Sequence, residues 1–124
     1  QLICLFGAGG DRDPSKREPM GAAVAHYADR AIIAKDNSRF EDPKRIAEML
    51  ARGLESVRDS DCRYEVILDR REAIVAALNA AGEGDVVFLA GKGHELYENE
   101  QGELRPWDDR QVVRELLAER KNER

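Results

Sequence analysis

The chain has 124 residues, 20 of them basic and 25 acidic, for a formal charge of -5. That length makes one domain with room for a real core, and the acidic balance argues against a generic nucleic-acid or membrane-surface binder, local basic clusters aside. No stretch nears the roughly 20 apolar residues of a membrane span and no charged region followed by a long apolar one opens the sequence, so a soluble, cytoplasmic protein is expected.

The first element is apolar from Leu2 to Phe6 and ends on Gly7-Ala8-Gly9-Gly10, a buried strand running into a glycine-rich loop. The chain opens directly in this strand, without an initiator methionine or polar leader, and so reads as part of something longer. A first helix is expected over about residues 15–28, with Met20, Val24 and Tyr27 at helical spacing and Pro19 placed in its first turn. Arg30 to Ala34 is a second strand, followed by the polar loop Lys35 to Pro43. Asp42 before Pro43 is an N-cap with proline at the first helical position, and Ile46, Met49, Leu50 and Leu54 give helix two, about 43–56, one apolar stripe.

A third strand is read at Tyr64 to Leu68, and an alanine-rich helix at Arg70 to Ala81 with Ile74, Ala77, Leu78 and Ala81 inward. Asp85-Val86-Val87-Phe88-Leu89 has the composition of a strand buried on both faces and is expected at the centre of the sheet. Leu96 to Glu98 and Leu104 to Trp107 flank Asn99-Glu100-Gln101-Gly102, a β-hairpin near residues 96–107. Asp108 caps a last helix, roughly Asp109 to Arg120, with Val112, Val113, Leu116 and Leu117 toward the core; the charged tail 119–124 is expected to fray. This alternation predicts an α/β, doubly wound, mostly parallel sheet with helices on both faces. Cys4 and Cys62 lack any paired spacing and fit free thiols in a reducing compartment, with no metal site.

Chemistry-bearing residues concentrate after the strands, where ligands bind in open α/β sheets. Gly7 to Gly10 lacks the full dinucleotide spacing, since Arg12 stands where the last glycine belongs, and no Gly-Lys-Ser/Thr follows to make a phosphate loop. Arg12 suits a carboxylate and Lys16 a phosphate; a solvated loop with local Asp–Arg pairs reads as well. Asp36-Asn37-Ser38-Arg39 offers partners for an ammonium and a carboxylate together, as a zwitterionic amino acid needs, although Asp-Asn-Ser is also ordinary turn chemistry. In Ala90-Gly91-Lys92-Gly93-His94-Glu95 the glycines permit a sharp turn and close approach of a ligand to the main chain. His94 has no Ser or Cys nucleophile beside it, and Glu95 is the stronger functional residue, as partner for an amine. Loops at one sheet edge can converge on one pocket.

Gly9-Gly10-Asp11-Arg12-Asp13, Lys16-Arg17, Met20-Gly21, Asp36-Asn37-x-Arg39, Glu41-Asp42-Pro43, Asp69-Arg70-x-x-Ala73-Ile74, Asp85-Val86-Val87 and Ala90-Gly91-Lys92-Gly93-His94-Glu95 stand in one order. In that order the chain resembles, over nearly its whole length, the Rossmann-like C-terminal domain of the Mur ligases, most nearly their tripeptide-forming branch. The resemblance implies a single domain, 1–124, of a longer three-domain enzyme. It implies ATP-dependent amide ligation, in which the carboxylate of UDP-MurNAc-L-Ala-D-Glu is activated as an acyl phosphate and attacked by the amine of an incoming diamino acid. It further implies that Arg12, Asp36, Asn37, Arg39, Gly91 and Glu95 bind that amino acid, with Arg39 favouring meso-diaminopimelate through its distal carboxylate. Lys16 would contact a nucleotide phosphate, while ATP and Mg2+ are bound mainly by domains not present here, so this chain alone would be inactive. Ser38 stands where the family motif usually carries a loop-stiffening proline, and lysine or ornithine as the amino acid stays open. Also open are a related folylpolyglutamate or cyanophycin type of ligase and a non-catalytic binding module.

Overall fold

A computed structural model describes residues 1–122. The elements run β1 Leu2–Phe6, a 3-10 turn Pro14–Lys16, α1 Arg17–Tyr27, β2 Arg30–Ile33, α2 Pro43–Glu55, β3 Arg63–Val66, α3 Arg70–Ala80, β4 Val86–Leu89, β5 Tyr97–Glu100, β6 Glu103–Pro106 and α4 Asp109–Asn122. Four parallel strands form one sheet in the order β3-β2-β1-β4, and β5 and β6 form a separate antiparallel hairpin. The expected parallel sheet and hairpin are both present.

Alternate residues of β1 and β2 feed two cores. Cys4, Phe6, Ala31 and Ile33 face Ala25, Ile46, Leu50 and Leu54 of α1 and α2. Ile3, Leu5, Ile32 and Ala34 face Ala73, Ile74, Ala77, Val112 and Leu116 of α3 and α4. Two helices on each face make the sheet doubly wound, and β1 and β2 are buried on both sides. Both cysteines are free thiols, and burial pushes the Cys4 thiol up to about 11.

Three expectations are corrected. β4 is an edge strand, not the central one, and Val86 and Phe88 remain 59% and 56% exposed while Val87 and Leu89 pack toward α3 and α4. Among the described residues α1 and α2 cover the neighbouring strands and leave this side of β4 open. On α1 the stripe Met20, Val24 and Tyr27 is not the buried face: Gly21 and Ala25 are buried, Val24 packs partly against the core, and Met20 and Tyr27 are exposed. The reason is close helix contact: a Cβ on Gly21 would lie 2.1 Å from the Leu50 carbonyl oxygen, and one on Gly53 of α2 would lie 2.0 Å from that of Glu18. β3 begins and ends earlier than expected, although Ile67 N–H and Lys35 N–H still carry the ladder onward, to the carbonyls of Ile33 and Leu68.

The remaining helices follow the sequence closely. Asp42, Asp69 and Asp108 each accept a backbone N–H at the start of α2, α3 and α4. In α4 Val112 and Leu116 are buried, Val113 is partly so and Leu117 is exposed. The helix continues through Asn122; of the tail expected to fray, residues 123 and 124 lie outside the described residues.

Candidate functional site

The strand order reverses between β1 and β4: from β1 the chain winds out through β2 to β3, then returns on the other side. Crevices at the carboxyl ends of such strands are where open α/β sheets hold ligands. Four segments meet there, namely the loops after β1, β2 and β4, and the β5–β6 hairpin.

Main-chain bonds close them into one unit. Gly10 N–H donates to the Asn37 carbonyl at 2.8 Å, and Ala90 N–H to that of Leu5 at 2.9 Å. Arg39 N–H donates to the Asn99 carbonyl at 3.1 Å and its own carbonyl accepts from Gln101 N–H, so the hairpin folds back alongside the loop after β2. Glycine is needed where these segments touch: a Cβ on Gly10 would sit 1.9 Å from the Ser38 carbonyl oxygen, and one on Gly7 2.3 Å from that of Ala34. The glycine run after β1 thus serves backbone packing, in keeping with its failure to match a phosphate loop.

Of the residues singled out in the sequence, Asp36, Asn37, Arg39, Gly91 and Glu95 come together. Asn37 is 4% exposed, and its carboxamide bonds on both sides: Oδ1 accepts from Lys92 Nζ and from Asn99 N–H, each at 2.9 Å, and Nδ2 donates to Glu95 Oε2 at 3.0 Å. Asp36 Oδ1 accepts from Asn37 N–H at 2.7 Å and lies 3.4 Å from Lys92 Nζ. Gly91 has φ +108°, and a Cβ there would stand 2.6 Å from Asp36 Oδ2. Arg39 also has a left-handed backbone, φ +52°, and its Nη1 donates to the Gly10 carbonyl at 2.9 Å and to that of Asn37 at 3.3 Å. Nη2 and Nε make no bond to the described residues. Arg12 borders the same place, since a Cβ on Gly9 would fall 2.9 Å from Arg39 Nη1 and 3.9 Å from Arg12 Cγ.

Arg12, Lys16 and His94 are exposed and make no hydrogen bond or ion pair among the described residues. Lys16 stands in the 3-10 turn before α1 rather than among the converging loops. Ser38, although no proline, is 1% exposed, its carbonyl accepts from Glu41 N–H, and its Oγ is buried without a partner. The loop carrying Arg39 is therefore fixed by its neighbours and does not depend on proline.

Several organising residues escaped the sequence reading. Arg17, which the sequence offers only as part of a motif, is 2% exposed: it forks onto Glu41 at 2.6 and 2.8 Å and donates to the Gly9 carbonyl at 3.0 Å. The bonded guanidinium holds the Glu41 carboxyl down at about 2. Glu41 in turn accepts from Asp11 N–H at 3.0 Å, so this pair ties the loop after β1 to the loop after β2. Arg70 bridges to Asp109 at 2.7 and 2.8 Å and to the Ala90 carbonyl at 3.3 Å, and Trp107 Nε1 donates to the same carboxylate. Burial pushes the Glu98 carboxyl up, against the pull of Lys92, Lys35 and Arg70. Arg17 at the start of a helix and Lys92 between glycines are visible in sequence; that they point inward is a property of the assembled sheet.

The switch point of this doubly wound domain thus gathers the Arg39 guanidinium, the Asp36 and Glu95 carboxylates, the buried Lys92 and the exposed Gly91 main chain. Residues 1–93 match the model of the Mur ligase, glutamate ligase domain, and the chain belongs to that family. It is 50% identical over 117 residues to the UDP-N-acetylmuramoyl-L-alanyl-D-glutamate--2,6-diaminopimelate ligase of Caldanaerobacter subterraneus subsp. tengcongensis, covering 94% of this chain and 24% of the relative. The protein of the same name from Streptomyces coelicolor is 48% identical over 118 residues, 94% of this chain and 23% of its own. A solved structure carrying that enzyme's name superposes with a TM-score of 0.87 at 38% identity, over 98% of this chain and 24% of that one. The chain thus spans about a quarter of the length of the relatives it matches.

Proposed function

We propose that this domain supplies the amino-acid pocket of an ATP-dependent ligase that joins meso-diaminopimelate to UDP-MurNAc-L-Ala-D-Glu in peptidoglycan synthesis. The observation that carries the reading is the convergence of Asp36, Asn37, Arg39, Gly91 and Glu95 on one edge of the sheet of this chain, whose relatives are named for 2,6-diaminopimelate. Diaminopimelate presents two ammonium and two carboxylate groups. Asp36 and Glu95 answer the ammonium charge, the Gly91 main chain is open to close approach, and Arg12 and Arg39 answer the carboxylates. Arg39 holds itself in place through Nη1 alone, which leaves the Nη2–Nε edge of the fork for a bidentate carboxylate. Asn37 serves the pocket chiefly by fixing Glu95.

The chemistry joins an amine to a carboxyl activated as its acyl phosphate, and the role of this domain is to hold the attacking amine in position. ATP and Mg2+ fall mainly to the rest of the parent enzyme. Gly7 and Gly10 after β1 are packed against the backbone of the loop after β2 rather than left open to a phosphate. Exposed Lys16 is the residue here assigned to a nucleotide phosphate. The remainder of the parent enzyme is the domain's principal partner, in the same cytoplasmic compartment as its substrates.

The test is Arg39→Ala in the full-length enzyme. Use of diaminopimelate falls on the order of 10²-fold in kcat/KM, because the distal carboxylate loses its fork, while use of lysine is spared. Equal loss for both amino acids removes the distal-carboxylate role.

A further inference from the structure

Lys92 is 1% exposed, and its nitrogen is reached by three oxygens from two segments: Asn37 Oδ1 at 2.9 Å and Asp36 Oδ1 at 3.4 Å from the loop after β2, and the Tyr97 carbonyl at 2.9 Å from the hairpin. A buried ammonium is a poor device for stability alone, since apolar side chains of similar volume often serve as well or better. What it adds is orientation. Asn37 Oδ1 faces two donors, Lys92 Nζ and Asn99 N–H, so a turned carboxamide would bring its own NH2 against both. In the orientation that Lys92 fixes, Nδ2 meets Glu95 Oε2. A turned carboxamide would instead set an oxygen against that carboxylate. The same ammonium holds Asp36, whose other oxygen lies beside the Gly91 main chain.

We propose that Lys92 is the positioning residue of the amino-acid pocket, a buried cation that sets the Asn37 carboxamide and through it the Glu95 carboxylate that receives the substrate ammonium. The inference rests on the pocket reading above and adds a residue to it. Lys92 touches no substrate; its effect passes through Asn37, Asp36 and the docked hairpin.

The experiment uses the full-length ligase with Lys92→Met, Lys92→Ala and Asn37→Asp. KM for ATP and for the diamino acid are measured beside kcat and the melting temperature. The expected result for Lys92→Met is a KM for the diamino acid raised on the order of tenfold or more, with KM for ATP changed less than about twofold. Asn37→Asp keeps the one oxygen that accepts from both Lys92 and Asn99 but replaces the donor to Glu95 with a second oxygen, and shows the same selective rise. n-Propylamine partly restores the diamino-acid KM of Lys92→Ala while n-propanol, of the same volume without the charge, does not; equal rescue by both overturns the inference in favour of packing. A diamino-acid KM that is unchanged, or that rises together with that of ATP, overturns the inference. If neither Lys92 variant folds, a wild-type KM in Asn37→Asp overturns it equally. Failure of the wild-type enzyme to use any diamino acid sinks the pocket reading instead. In that event a crystal structure of Lys92→Met decides the positioning role, an unmoved Asn37 and Glu95 counting against it.

Discussion

At Gly91, an exposed residue, two constraints coincide: a backbone at φ +108° and an Asp36 Oδ2 that would lie 2.6 Å from any Cβ added there. Gly91→Ala is expected to cost about 1–3 kcal/mol of stability from the backbone alone, and to push Asp36 off Lys92, raising KM for the amino acid in the parent enzyme; urea unfolding and steady-state kinetics measure the two effects. At Glu41 the relevant property is charge. Arg17 holds its carboxyl at about 2, against an ordinary value of 4.5. A depressed carboxylate stabilises the fold fully above about pH 4.5 and loses that contribution as pH falls toward 2. With 24% of the Glu41 side chain still in contact with solvent, the contribution is about 1–2 kcal/mol rather than the full value of the shift. Glu41→Gln is therefore expected to lower stability at pH 6 by that amount and to narrow the gap to wild type at pH 3, read from urea midpoints; an equal deficit at both pH values contradicts the ion-pair account. The chemistry of these positions was legible in the sequence, because acids, bases and glycines cluster after strands. Their partners were not, since Lys92 and Asn37 are 55 residues apart and only the strand order makes them neighbours.

α1 and α2 meet where Gly21 and Gly53 remove side chains from the contact, each within a Cβ's reach of the other helix's backbone. For Gly53→Ala two effects oppose. Alanine gains about 1 kcal/mol of helix propensity over glycine, but its Cβ would fall 2.0 Å from the Glu18 carbonyl oxygen, an atom that cannot rotate away. Overpacking of this kind costs about 1–3 kcal/mol or more as the helices separate, so the clash wins and a net destabilisation near 2 kcal/mol is expected from chemical denaturation; a stabilised variant would show that the helices part freely. The sequence marked both helices through their caps and periodicity. It misjudged the contact face of α1 because large apolar residues draw attention, while close helix packing selects small ones. The apolar run of β4 misled in a related way. Composition shows that a strand tolerates burial on both faces, but whether a helix covers each face depends on strand order, and here Val86 and Phe88 stay exposed on an edge.

For the molecule as a whole, the doubly wound class was legible from the alternation of elements, and the position of the site followed from it, because loops after β1, β2 and β4 must share one edge. The hairpin's contribution was not: it carries a turn pattern, yet nothing local tells that Tyr97 and Asn99 dock onto Lys92 and Asn37. Residues 1–93 carry the family match, and β5, β6 and α4 complete the fold beyond it. Among the described residues no helix is long and apolar enough to cross a membrane. The central claim is that this fold presents a pocket for a diamino acid with a second carboxylate, and the most direct measurement is phosphate release by the full-length enzyme. The enzyme is given ATP, UDP-MurNAc-L-Ala-D-Glu and, in turn, meso-diaminopimelate, L-lysine or L-ornithine. The account predicts turnover with diaminopimelate and little with the other two, and no turnover by residues 1–124 alone. Turnover with lysine or ornithine in preference to diaminopimelate would contradict it.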